Sequence, residues 1–278
     1  MEKFFKIVVG IIIAIIAIGL CIVVLGLLLI ALIVIKIVAL IANHRSKSIW
    51  RKGDTLHVPV VDFVNTDTNQ KVSFLGCIHI GDNGFYRTLE HIIAQSPNTL
   101  VLCEGTRETF TDQEKIDKHP YTLIAKLIGV VTQFTMHYQP TWEFNDHEEK
   151  LSQLSRIFKI LQKKNKDGKT FEEVIKELKP ESKKKIGRLL ATLILNMTFL
   201  KIITSFKKKK WRDKVIEHVI INMRNEYAIK HVDTKKDHPH LILLWGAGHL
   251  PGMEKLLRER GFKRTYSKWI PAFTRLKK

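Results

Sequence analysis

Three short apolar runs along the chain predict buried strands. Residues 72–75, 99–103 and 241–245 are mainly apolar, and each run is followed by glycine within two positions. A short apolar run bounded by turn residues is typical of a strand that is covered on both faces, as in sheets packed between helices. The pattern therefore predicts an α/β protein with a mixed central sheet flanked by helices.

A polar residue stands at or just after the end of each predicted strand. Glu104 ends the second run, while His79 and His249 each close a Gly-x-x-His motif. If the three strands are parallel neighbours, their carboxyl ends share one rim, where open α/β folds usually bind ligands. We therefore expect these three side chains to meet. Glycines in the motifs predict a turn or a close approach of the backbone; they are Gly76, Gly246 and Gly248.

The flanking pattern predicts further elements. Residues 56–63 and 71–75 have the composition of a β-hairpin, and Pro59 predicts that the first strand lies at an edge. Residues 85–95 carry apolar side chains at helical spacing, with Asp82 or Asn83 as the N-cap. After Glu104 we expect a long helical insert at about 110–235.

The N-terminal segment predicts a membrane anchor. Residues 7–35 contain no charged side chain, and a helix of that length reaches ~44 Å, more than the hydrocarbon core of a bilayer. The run also exceeds the apolar part of a signal peptide. We predict one uncleaved transmembrane helix in residues 1–42, a basic linker at 43–55 and an α/β domain at 56–278. More Lys and Arg follow the span than precede it, which places the domain of this single-pass protein in the cytoplasm.

The strong positive charge of the chain favours a membrane partner over nucleic acid. The formal net charge is +19, but neither zinc-finger spacing nor interleaved arginine and aromatic residues are present. Residues 207–210 are four lysines that follow a largely apolar segment, which fits either an anionic lipid surface or a core helix with a solvated charge run. We expect membrane lipid as a partner and no nucleic acid. His231, His238 and His240 are expected in a solvated loop.

The three residues at the strand ends suggest metal chemistry. Two imidazoles and one carboxylate are a common ligand set for a catalytic divalent ion such as zinc, iron or manganese. Taken singly, each histidine is equally an ordinary polar residue beside a turn, and Glu104 can act as a general base instead of a ligand. Cys77 and Cys103, which flank the set, are expected as small core side chains, with a disulfide or metal ligation as the alternatives.

At these residues the chain resembles the superfamily of TraB, PrgY, GumN and the Tiki proteases, with ChaN and the erythromycin esterases as distant relatives. The resemblance covers roughly residues 70–265. Its blocks are Leu-Gly-Cys-Ile-His-Ile-Gly-Asp at 75–82, Leu-Val-Leu-Cys-Glu-Gly at 100–105, Trp-Gly-Ala-Gly-His-Leu-Pro-Gly at 245–252, and the weaker Met-Arg-Asn-Glu-Tyr at 223–227. In the last block Met223 replaces the acid that is usual in the family.

The resemblance implies a metal-dependent hydrolase, most simply a peptidase acting on a peptide or protein. It implies His79, Glu104 and His249 as metal ligands, with Mn or Co favoured and Zn as an option. Arg224 would be a second catalytic residue beside Glu104, and Asn225 a supporting one. The Tiki branch is extracellular, which opposes the cytoplasmic placement from charge. The relatives PrgY and ChaN imply an alternative, a non-catalytic membrane regulator that binds or sequesters a peptide or haem.

Overall fold

The computed structural model describes residues 48–105, 112–117, 119–145, 168, 173, 177–195 and 221–275. The predicted anchor and the lysine run at 207–210 lie outside these residues. Within the described part, no helix has the length and apolar character needed to cross a bilayer. The first strand begins at Trp50, so the sheet starts inside the segment predicted as a linker.

Nine strands and six α-helices make up the described part. The strands are β1 (Trp50–Lys52), β2 (Thr55–Asn65), β3 (Lys71–Cys77), β4 (Ile80–Gly81), β5 (Thr99–Glu104), β6 (Val131–Thr132), β7 (Glu143–Asn145), β8 (His240–Gly246) and β9 (Phe262–Thr274). The helices are α1 (Asn83–Ala94), α2 (Gln113–Asp117), α3 (Pro120–Ile128), α4 (Pro180–Leu195), α5 (Met223–Thr234) and α6 (Leu250–Arg258). Short 3₁₀ turns occupy Gln133–Thr135 and Ala247–His249.

The central sheet is mixed, as the sequence predicts. Its order is β1-β2-β3-β8-β5-β7, and β9 pairs with β2. Strands β3, β8, β5 and β7 are parallel, whereas β1, β2 and β9 form antiparallel pairs. Because β8 lies between β3 and β5 in register, the three strands expected to share a carboxyl rim do so. The smaller sheet pairs β4 with β6.

Helices cover both faces of the sheet. The face that contains Leu75, Val101 and Leu244 packs against the apolar side of α1. The other face, with Phe74 and Leu243 among its residues, packs against α5 and α6. Apolar side chains therefore point both ways from the central strands, which explains their uninterrupted apolar runs. The protein is an α/β fold with one sheet between two helical layers.

Helix α1 begins where the sequence predicts. Asp82 occupies the N-cap position in an extended conformation, but its side chain makes no capping hydrogen bond to the helix. Burial raises the pKa of Asp82, while hydrogen bonds with Thr274 of β9 lower it. The carboxyl group thus joins the helix entrance to the last strand.

The edge position predicted for β2 is wrong, since this strand pairs with β3 on one side and β9 on the other. Pro59 is tolerated because pairing with β3 begins only at Val60. Proline has a Cδ atom where other residues have the backbone N–H. In Pro59 this atom lies 3.1 Å from the position that a Cβ on Gly76 of β3 would take. No ladder hydrogen bond is lost beyond the end of the paired segment.

The segment at 110–235 is less uniformly helical than predicted. Strand β7 extends the sheet beside β5, and β6 pairs with β4. Helix α5, at the end of this segment, packs on the sheet through Ala228, Ile229 and Val232. It therefore belongs to the core layers of the fold.

The expectation of a solvated loop for the three late histidines is also wrong for two of them. His231 lies on α5, and His240 is the first residue of β8. His240 bonds Ser73 Oγ at 2.8 Å and Thr99 Oγ1 at 3.0 Å. Burial is the largest of the causes that lower its pKa. His238 is exposed, as expected.

Candidate functional site

The carboxyl rim of β3, β8 and β5 carries a compact group of polar side chains. Glu104 ends β5, and His249 is the last residue of the 3₁₀ turn that follows β8. Arg224 and Asn225 lie in the first turn of α5 on the same side of the sheet. Three separate parts of the chain thus place their polar groups at one point.

Glu104 is the centre of this group. Its Oε1 lies 2.8 Å from an Arg224 guanidinium nitrogen and 3.4 Å from Nε2 of His249. Its Oε2 accepts a 2.5 Å hydrogen bond from the backbone N–H of Gly246. Burial raises the pKa of Glu104, but the interaction with His249 and the positive charge of Arg224 outweigh it and hold the pKa well below its ordinary value. Glu104 is therefore a carboxylate at neutral pH.

His249 is oriented by an amide. The residue is 5% exposed, and its Nδ1 lies 2.7 Å from Oδ1 of Asn225. A carbonyl oxygen only accepts, so Nδ1 carries a proton and Nε2 faces Glu104. Nε2 of His249 and Oε1 of Glu104 are both electron-rich and lie 3.4 Å apart. They attract each other only when a proton on Nε2 or a metal ion lies between them.

Gly252 is a site residue that the motif contains but to which we assigned no role. A Cβ there would collide with the amide nitrogen of Asn225. The amide therefore occupies the space of the missing side chain and reaches His249 from there. The only signal in the sequence is a glycine three positions after the histidine, inside a helix, where glycine is otherwise unfavourable.

The other motif glycines differ in importance. A Cβ on Gly246 would stand 3.0 Å from Oε2 of Glu104, and one on Gly76 would stand 2.7 Å from the carbonyl oxygen of Pro59. Both positions are thus sites of close approach, as predicted. A Cβ on Gly248 would meet no described atom within 4 Å.

His79 lies at the same rim but outside this group of contacts. The residue is exposed as a whole, but its ring stacks on Tyr121 of α3, with centroids 4.7 Å apart and planes at 13°. Desolvation by the surrounding protein lowers the pKa of His79. The charge of Glu104 and a hydrogen bond with Gln133 act in the opposite direction and only partly offset it. Among the described residues, no three His, Cys, Asp or Glu side chains are placed to hold a metal ion. The structure thus joins two of the three predicted ligands.

A second imidazole that sequence reasoning missed lies beside His79. His119 caps α3, because its Nδ1 accepts a 3.2 Å hydrogen bond from the N–H of Tyr121. Its ring packs edge-on against Phe134 with centroids 4.8 Å apart. Burial, and then the charge of His79, lower the pKa of His119 to about 4. Aromatic and imidazole rings therefore form one wall of the rim.

The two cysteines that flank the motif are buried, and neither forms a disulfide with a described residue. Both belong to the apolar core on the α1 face. Burial, and then the charge of Glu104, raise the pKa of the Cys77 thiol to about 12. These side chains fill the core under the rim, as expected, and Cys77 is protonated at neutral pH.

Comparison with known proteins gave no match to a family model, to a curated protein or to a solved structure.

Proposed function

We propose that this chain is a metal-dependent hydrolase, most simply a peptidase, that acts at the rim formed by β3, β8 and β5. The observation that carries the proposal is the 3.4 Å separation between Nε2 of His249 and Oε1 of Glu104. Two ligands at about 2.1 Å from a tetrahedral ion stand about 3.4 Å apart. The buried pair thus has the spacing of two adjacent ligands.

The donor set supports a divalent cation. Asn225 accepts the proton on Nδ1 of His249, so Nε2 is the nitrogen that faces Glu104 and is left to bind an ion; an outer partner of this kind is usual for a metal-binding imidazole. His79 is the third ligand in this proposal. Its ring leaves the stack on Tyr121 to complete the set. Mn, Co and Zn all accept imidazole and carboxylate donors.

Each rim residue has a separate role in the proposed amide hydrolysis. A bound divalent ion would supply Lewis acidity and lower the pKa of water at the site. If Glu104 is not a ligand, its ionised carboxylate accepts a proton from the attacking water. Arg224, held 2.8 Å from Glu104, offers its remaining guanidinium N–H groups to the developing oxyanion or to a substrate carboxylate. The part-buried Gly246 N–H holds Glu104 in place.

The proposal keeps the predicted setting of the domain. A single N-terminal span in residues 1–42 tethers the hydrolase to a membrane, and the Lys/Arg bias places it on the cytoplasmic side. Its substrate is a peptide or protein that reaches the rim.

The alternative is a membrane regulator that binds a peptide or haem without cleaving it. The contact that favours this alternative is the Arg224–Glu104 ion pair, whose side chains are only 12% and 15% exposed. A guanidinium on the carboxylate competes with a metal ion for the same oxygen. A largely buried ion pair of this kind also stabilises a fold without taking part in catalysis.

Metal content and cleavage measured on one preparation separate the possibilities. The full-length chain in detergent, freed of metal, is dialysed against Mn²⁺, Co²⁺ or Zn²⁺ and then analysed for bound ions. We expect about one ion per chain, with a strong loss in His249→Ala, Glu104→Gln and His79→Ala. The matched control is His238→Ala, because His238 is exposed and precedes the amino end of β8, whereas the motif follows its carboxyl end.

The same samples are then tested against a fluorogenic peptide library. Cleavage that depends on the added ion and is lost in the three variants supports the hydrolase. One bound ion without cleavage of any peptide favours the regulator. Metal content that is nil in the wild type, or equal in His249→Ala and wild type, removes the metal-site proposal.

A further inference from the structure

Aromatic and cationic side chains cluster on one face of the sheet where β1, β2 and β9 meet. The ring centroid of Trp50 lies 5.0 Å from that of His57 and 6.0 Å from that of Trp269. The ammonium of Lys52 lies 5.9 Å from the Trp50 ring. We call Trp50, Lys52, His57 and Trp269 the tryptophan patch.

Strand pairing places the whole tryptophan patch on one face. Trp50 is opposite His57, and Trp269 is opposite Pro59, two residues further along β2. Lys52 is two residues from Trp50 on β1. Because side chains two positions apart in a strand point to the same face, the four groups share one surface.

The described helices leave this end of the face uncovered. Helices α5 and α6 pack on the same face further along β2, over Val61 and Phe63. None of the three patch rings belongs to an apolar core of the described residues. Trp50 and Trp269 are partly exposed and Lys52 is exposed. Among the described residues, the patch is therefore a half-apolar surface that no helix covers.

The charges around the patch match an anionic surface. Lys52 lies on β1 within the patch, and the carboxylate of the nearby Asp54 is paired with Arg275 at 2.8 Å. Tryptophan rings beside Lys and Arg are the combination found in the interfacial layer of membranes, where a ring has one apolar and one wet side. Anionic headgroups attract the adjacent cations.

The short stretch of chain between the predicted anchor and Trp50 limits how far the patch can stand from a bilayer. The predicted anchor ends at residue 42, eight residues before Trp50, and eight residues extend over ~28 Å at most. We infer that the tryptophan patch lies in the interfacial layer of the membrane that holds the anchor, with Trp50 and Trp269 among the headgroups. The inference rests on the predicted anchor and is independent of the hydrolase.

Quenching of tryptophan fluorescence by labelled lipid tests this placement. The full-length chain is reconstituted into phosphatidylcholine and phosphatidylglycerol vesicles in which part of the phosphatidylcholine carries a headgroup nitroxide. Residues 1–47 contain no tryptophan, so the anchor gives no signal. We expect strong quenching of the wild type and loss of most of it in the Trp50→Phe/Trp269→Phe double variant. The control is Trp142→Phe, because Trp142 is only 6% exposed.

Each outcome decides the matter. Quenching that is equal in the wild type and in the double variant overturns the inference, because it then arises from another tryptophan. A wild type that is not quenched also overturns it, and resistance of that protein to acrylamide identifies a protein segment or a second copy as the cover. Circular dichroism checks the fold, and the single variants serve if the double variant unfolds. His249→Ala should be quenched like the wild type, which separates this inference from the hydrolase proposal.

Discussion

At the scale of single residues, the orientation of His249 depends on Gly252, because this residue has no side chain and leaves space for the Asn225 amide. Asn225 is 1% exposed, and its Oδ1 meets the imidazole 2.7 Å away. The Asn225 Nδ2 atom has no hydrogen-bond partner among the described residues. The amide is therefore held mainly by the space over Gly252 and by His249. A small change in that space will disturb the tautomer of the histidine.

Gly252→Ala tests this dependence. The new Cβ displaces the Asn225 amide, so His249 loses the acceptor that keeps the proton on Nδ1. We expect a 10- to 100-fold loss of metal affinity or activity, the range typical of outer-partner mutations. Metal titration and the ¹⁵N chemical shifts of His249 measure it. Gly248→Ala is the matched control, because its Cβ meets nothing within 4 Å; equal behaviour of the two variants would contradict the role of Gly252.

Single residues also show how far the sequence predicted the site. Glu104 and His249 were expected at one rim and do lie together, because each follows a strand whose apolar run is evident. Arg224 and Asn225 were expected from the family resemblance alone, and the first turn of α5 places them beside the pair. The place of His79 was only partly predicted. The strand before it was predicted correctly, but His79 lies two residues beyond the end of that strand. The stack on Tyr121 directs its ring. No local sequence pattern encodes a contact with a helix 42 positions away.

At the scale of elements, a chain of hydrogen bonds ties four strands together at the amino end of the parallel strands. Ser73 Oγ lies 2.6 Å from Oδ1 of Asp62 and 2.8 Å from Nε2 of His240, and Nδ1 of His240 lies 3.0 Å from Oγ1 of Thr99. Lys71 lies 2.8 Å from Oδ2 of Asp62. The chain connects β2, β3, β8 and β5 and thereby fixes their register.

Ser73→Ala should break this connection. Ser73 is 5% exposed, and its removal leaves partly buried polar atoms on Asp62 and His240 without this partner. We expect a loss of about 1–3 kcal/mol in the free energy of unfolding, measured by urea denaturation. Ser267→Ala, on the exposed part of β9, should change it little. A cost for Ser73→Ala as small as that of the control would show that the hydrogen bonds do not stabilise the sheet.

The cap of α3 makes stability depend on pH. The pKa of His119 falls from 6.5 in an unfolded chain to about 4 in the folded protein. The unfolded state therefore binds the proton first, and stability is lost as the pH falls from near 6.5 through about 4. His79 acts in the same direction, since its pKa is also lowered.

His119→Asn isolates this effect, because asparagine also caps helices but does not titrate. We expect a shallower fall of the free energy of unfolding across that pH window than in the wild type, measured by urea denaturation at several pH values. The variant should not lose the dependence entirely, because other histidines with lowered pKa remain. An unchanged slope would contradict a lowered pKa for His119.

Sequence patterns predicted the central elements better than the peripheral ones. Strands β3, β5 and β8 are apolar on both faces, so their pattern was clear. Strand β9 was missed because six consecutive residues after Phe262 are exposed, and a polar edge strand has no buried face to mark it. The edge position given to β2 failed because Pro59 lies beyond the paired segment with β3, a detail of register that composition does not contain.

At the scale of the whole molecule, the fold class and the order of the main elements were predictable, whereas the strand order was not. Apolar runs show that three strands are buried, but they do not show that β8 lies between the other two. That order follows from how the helical layers cover both faces. The assumption that the three carboxyl ends meet was necessary for the site, and the parallel register of β8 with β3 and β5 supports it.

The central place of β8 also has a consequence for biosynthesis. Strands β3 and β5 leave the ribosome long before residues 240–246, which are the neighbour that both require. Until then each has an unsatisfied hydrogen-bonding edge, a known route to mispairing. A nascent chain stalled before residue 240 should therefore associate with chaperones and resist protease poorly, and protection should appear only once residues 240–246 have emerged.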